Sequence, residues 1–132
     1  MKKTYTVLDW KTKQPIIDFE MDLVELTGTE KQIAWATDIR EKTILELIDR
    51  ISQWGNNLDN IHNEFDADLE TLNRFTAWQS SSAWWIENGN AGSYGSKSHQ
   101  IIERVRRWDA TYGIDSFKRT REQCKELNVP MF

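Results

Sequence analysis

The chain has 132 residues, 39% hydrophobic and 29% charged, with a formal charge of −4, enough for one modest core in a single domain. No apolar run approaches the roughly 20 residues that span a bilayer, and the opening MKKTYTVLDW lacks the apolar region of a secretory signal. The lone Cys124 forms neither an internal disulfide nor a cysteine metal cluster, so a cytoplasmic protein without a membrane span is expected.

In chain order, TYTVLDW (4–10) alternates, with Tyr5 and Val7 on one side and Leu8 and Trp10 on the other. KTKQP reads as a turn and IIDFEM as a second strand, which together predict a hairpin over 1–22. A two-stranded hairpin is marginal alone and has to pack on something. Gly28 then breaks the chain before Thr29 and Gln32, whose spacing is that of a capping box. A helix over 29–54 follows, with Ile33, Ile44, Leu47, Ile48, Ile51 and Trp54 on one face. Gly55-Asn56-Asn57 ends it, because such residues tolerate a left-handed backbone.

A second helix is predicted over 58–78 from Ile61, Phe65, Leu69 and Leu72, with Asp59, Asp66 and Glu70 on another face. Shorter helices are expected over 82–88, 98–112 and 115–128. The fourth carries the stripe Ile101, Val105, Trp108, Tyr112, and the last turns Phe117, Cys124 and Leu127 inward before Pro130 closes the pattern. The expected fold is mainly α, an N-terminal β-hairpin packed on a four- to five-helix bundle.

The stretch GNAGSYGSKS (89–98) ends like a phosphate-binding loop, but Ala91 and Ser96 stand where G-x-x-x-x-G-K-[ST] has glycines. Such a loop also needs a preceding buried strand and a parallel sheet, which this chain has no room for. The stretch is expected to be a hinge, with Gly89, Gly92 and Gly95 reversing the chain and Ser96 or Ser98 capping the next helix. His62 and His99 are the only histidines, too few for a three-ligand zinc site, and no local pattern marks a nucleophile. No catalytic residue, metal or cofactor is expected.

What remains is surface. Residues 1–70 hold 15 acids and 8 bases, a balance of −7, and residues 71–132 hold 6 acids and 9 bases, a balance of +3. Such polarity steers a partner. Seven tryptophans exceed the need of a core this size, and the excess suits a binding surface. The expected protein-binding residues are Asp59, Asp66 and Glu70 with Trp35, Ile39, Trp84 and Trp85. Trp35 and Ile39 form a second patch on the long helix, either packed under the hairpin or open to a partner. The alternative is a nucleic-acid surface built from Arg104, Arg107, Lys118, Arg121 and Lys125, whose bases would hold phosphates.

LTGTEKQIAWATDIR (26–40) and AWWIEN (83–88) resemble segments of small bacterial and phage-type proteins that share T-E-K-Q-x-x-W-A-x-x-I-R and W-W-I-[DE]-N. The resemblance covers about twenty residues and assigns no catalytic residue. It implies a mobile-element setting, in which small acidic proteins bind and block a host or rival machine, as anti-CRISPR-type inhibitors do.

Overall fold

A computed structural model describes residues 1–54, 58–89, 97–113, 119 and 121–129, with the side chains of 53–67, 97–99 and 121 left aside. The chain is mainly helical, with an antiparallel hairpin ahead of five helices. The elements are β1 (Lys2–Leu8), β2 (Pro15–Asp22), α1 (Glu30–Trp54), α2 (Leu58–Trp78), α3 (Ser82–Gly89), α4 (Lys97–Tyr112) and α5 (Arg121–Leu127).

The hairpin pairs Lys2 with Asp22 through Val7 with Ile17, and an irregularity between Val7 and Leu8 ends the regular register. Its turn is held by Asp9, whose Oδ1 accepts from the N–H groups of Lys11 and Thr12 at 2.8 and 3.0 Å, while Lys13 takes a left-handed φ of 62°. These bonds to the ionised form hold the Asp9 carboxyl below its ordinary pKa. Tyr5, Val7 and Met21 are buried, and Leu8 and Trp10 are exposed, so the two sides divide as the alternation predicts.

Three contacts seat β1 on α1. Lys3 Nζ and the Tyr5 hydroxyl donate to the two oxygens of Glu41 at 2.8 and 2.7 Å, and Ser52 Oγ donates to the Leu8 carbonyl at 2.6 Å. Burial and the neighbouring carboxylate both push the Tyr5 hydroxyl above its ordinary pKa. Burial by itself would raise Glu41, but the hydrogen bonds from Lys3 and Tyr5 and the charges of Lys3 and Arg40 together hold it below the usual 4.5. A carboxyl depressed in the folded state contributes stability above its unfolded pKa and loses it as pH falls through the folded value. Glu41→Gln is therefore expected to cost about 1 kcal/mol at pH 7. In thermal melts the gap to the parent should close as the pH is lowered below 4.5; an equal gap at pH 7 and pH 3 would refute the assignment.

Helix α1 starts on the predicted capping box: the Thr29 N–H donates to Gln32 Oε1 at 3.0 Å and the Gln32 N–H to Thr29 Oγ1 at 3.2 Å. Ala36, Ile39, Arg40, Thr43, Ile44, Leu47 and Ile51 are buried, with Ile33 and Ile48 partly so. That stripe is wider than the predicted face because α1 packs on the hairpin, α2, α3 and α4 together. Leu72 and Phe75 of α2, Trp85 of α3, and Ile101, Ile102 and Val105 of α4 complete the core.

Between β2 and α1 the chain is neither strand nor helix, and it is tied along its length. The Val24 N–H donates to the Thr76 carbonyl and the Thr27 N–H to the Ser80 carbonyl, and the Ser82 N–H returns a bond to Thr27. The buried Arg40 guanidinium holds the Val24 carbonyl at 2.7 Å.

The C-terminal helix departs from expectation. Its described part runs Arg121–Leu127 and Arg119 is non-helical, so no single helix runs through that position, while residues 114–118 lie outside the described residues. The Arg119 guanidinium donates to the Tyr112 carbonyl at the end of α4, 3.0 Å away. Gly113, at φ 109°, makes the reversal there. Cys124 faces in, but Leu127 is exposed. The helix stops immediately after it, with Asn128 in the left-handed region and the Val129 N–H bonded back to the Cys124 carbonyl, a Schellman-type end. Phe117 lies outside the described residues.

Candidate protein-binding face

Of the predicted acidic stripe, Glu70 is described and exposed, while the side chains of Asp59 and Asp66 lie outside the described set. Ile39 and Trp85 are not surface residues. Ile39 is 3% exposed and lies against Gly89 of α3, so α3 covers that half of the predicted patch. Trp85 is 0% exposed, with its indole N–H on the Gln79 carbonyl at 3.2 Å. It stacks edge-on against Trp84 at 5.3 Å between ring centres and lies 5.5 Å from Phe75. The helical count puts Ile39 on a surface that α3 closes, and the tryptophan excess puts Trp85 at a surface although its aromatic neighbours enclose it. Trp84 is partly buried in the same cluster, and Trp35, one turn before Ile39, stays half-exposed.

A second row of acids lies on the hairpin. Asp18, Glu20 and Asp22 are all exposed and alternate along β2 opposite Thr6, Thr4 and Lys2. Their side chains leave the sheet on the side away from Tyr5, Val7 and Met21, spaced by about 7 Å. Thr6 Oγ1 donates to Asp18 Oδ1 at 2.6 Å. The strand ends against α2, where the Asp22 N–H donates to Asn73 Oδ1 at 2.8 Å, and the exposed Glu70 stands one turn before Asn73. β2 carries no basic residue. Its period of two, Ile17-Phe19-Met21 inward and Asp18-Glu20-Asp22 outward, is the signal that could have found this face. At the end of β2 a shallow cleft of about 360 Å³ is lined by Asp22, Asn73, Arg74, Ala77 and Trp78.

The basic candidates divide. Arg104 and Arg107 are exposed on α4, Arg107 with an i,i+4 pairing to Glu103 at 3.5 Å. Between them Arg106 reaches back to the buried Asp68 of α2, so that arginine joins α4 to the bundle. Lys125 is exposed on α5, Lys118 lies outside the described residues, and for Arg121 only the backbone is described.

Among the described residues no three His, Cys, Asp or Glu side chains converge as a metal site, and no helix is long and apolar enough to cross a membrane. The glycines of the 90–96 stretch lie outside the described residues; α4 begins at Lys97, which puts Ser98 inside its first turn and not at its N-cap. No protein-family model, curated protein or solved structure matches the chain.

Proposed function

We propose that this chain is a non-enzymatic, protein-binding regulator whose acidic hairpin face engages a basic surface of another protein. The reading is carried by one observation: three exposed carboxylates, Asp18, Glu20 and Asp22, alternate along β2, and a fourth, Glu70, is exposed on α2 one turn from the Asn73 that bonds the end of that strand. Such a row offers complementary charge at close spacing, which raises association rates and penalises acidic competitors. The likeness of TEKQIAWATDIR and AWWIEN to phage-type proteins fits an inhibitor from a mobile element, of the kind that blocks a host or defence protein in the cytoplasm.

The test is affinity capture from a bacterial lysate, with and without nuclease. Reversing Asp18, Glu20, Asp22 and Glu70 to lysine is expected to reduce nuclease-resistant capture at least tenfold and leave helicity unchanged. Reversing Arg104, Arg107 and Lys125 to glutamate should leave capture intact. The exposed arginines of α4 favour the second reading, nucleic-acid binding, and it prevails if the basic reversal abolishes binding to single-stranded oligonucleotides with a steep salt dependence.

A further inference from the structure

The hydrogen-bonding phase of the hairpin decides which backbone groups of β2 look outward. The Leu23 N–H donates to the Met1 carbonyl at 2.7 Å, which makes that a hydrogen-bonded pair. In an antiparallel ladder such pairs alternate with non-bonded ones. By the observed register, Lys3 with Met21, Tyr5 with Phe19 and Val7 with Ile17 are then the bonded pairs, and Asp18, Glu20 and Asp22 turn their N–H and C=O away from β1. Asp22 bears this out: its N–H goes to Asn73 Oδ1 and its carbonyl accepts from Thr76 Oγ1 at 2.9 Å, so α2 closes the edge there. Among the described residues nothing closes it at Asp18 and Glu20.

We propose that this open edge accepts an extended basic segment of a partner protein as a third strand, a mode that rests on the acidic-face reading above. The added strand would take its main-chain bonds from Asp18 and Glu20. Its alternate lysine or arginine side chains would lie on the outer face beside Asp18, Glu20 and Asp22, where opposite charges on neighbouring strands attract. The same chemistry selects against a second copy joined through the same edge. Pairing β2 with β2 sets these acids against one another, and charge on an edge strand is a standard guard against self-pairing.

The probe is a capped octapeptide of alternating lysine and threonine, followed by amide hydrogen exchange. Saturating peptide is expected to slow exchange at the Asp18 and Glu20 amides at least tenfold, and an alternating glutamate–threonine peptide should do nothing. Asp18→Pro removes an outward N–H and no main-chain bond to β1, losing toward that strand only the side-chain bond from Thr6, as proline at an edge position allows, and should weaken binding at least tenfold. No binding at millimolar peptide overturns the proposal. Peptide binding without protection at those two amides, or undiminished by Asp18→Pro, also overturns it while sparing the acidic face. Binding untouched by Asp18→Lys with Glu20→Lys sinks the acidic-face reading itself. Protection of both amides in a concentration-dependent dimer without peptide gives the edge to a second copy and overturns the basic-strand occupant. Should Asp18→Pro fail to fold, the exchange measurement on the parent chain still decides.

Discussion

Trp85→Ala is expected to lower unfolding stability by about 3–5 kcal/mol, the range for truncating a large buried aromatic. The side chain is wholly enclosed, it meets Trp84 and Phe75 in edge-on and tilted contacts, and its N–H is bonded. Truncation opens a cavity among rigid rings and leaves the Gln79 carbonyl short of a donor, and each loss adds to the other. Trp35→Ala, at a half-exposed site, should stay within about 1 kcal/mol. Urea denaturation followed by circular dichroism reads both. A Trp85→Ala chain within 1 kcal/mol of the parent would mean that α3 is not held as described.

Gly89→Ala is expected to destabilise by about 1–3 kcal/mol or more, the range for overpacking. The last residue of α3 is buried against α1, and a methyl group built on it overlaps the Ile39 Cγ2 atom directly. No simple rotation of the new group relieves this, because a Cβ position is set by the backbone. Relief has to come from Ile39 leaving its rotamer or from α3 backing off. Ile39→Ala removes the obstructing atom at a cost of its own, about 2–5 kcal/mol. The double variant Gly89→Ala/Ile39→Ala should then be more stable than the sum of the two losses by at least about 1 kcal/mol. Additivity within about 0.5 kcal/mol would show that the two residues do not touch.

These two sites also mark where sequence reasoning stopped. Periodicity located α1 to α4 with small errors at their ends, because the chain punctuates itself there: Thr29 and Gln32 cap α1 with their own side chains. It does not foresee the non-helical Arg119 inside the span 115–128, whose guanidinium reaches the end of α4, a contact absent from any local pattern. A helical count says which residues share a face and not which element lies over it. Trp35 and Ile39 were read together for that reason, and only the docking of α3 separates them. The acidic face was legible in principle from the alternation of β2. Knowing that its acids point outward and that the strand ends against α2 required the burial of Met21 and the Asp22–Asn73 bond.

The tied segment between β2 and α1 has a kinetic meaning. The bonds from the Asp22 N–H to Asn73, from Thr76 to the Asp22 carbonyl and from Thr27 to Ser80 join residues 51 to 54 positions apart, whereas the hairpin turn and the helices close over a few residues each. Ordering a loop of that length carries an entropy loss that nothing repays until both ends are already shaped. The strap is therefore expected to form late, locking across the hairpin and the helices after their short-range contacts are made. The chain is expected to carry a slow latch, built from main-chain bonds at Val24, Thr27 and Ser82 and from the side chains of Asn73, Thr76 and Thr27.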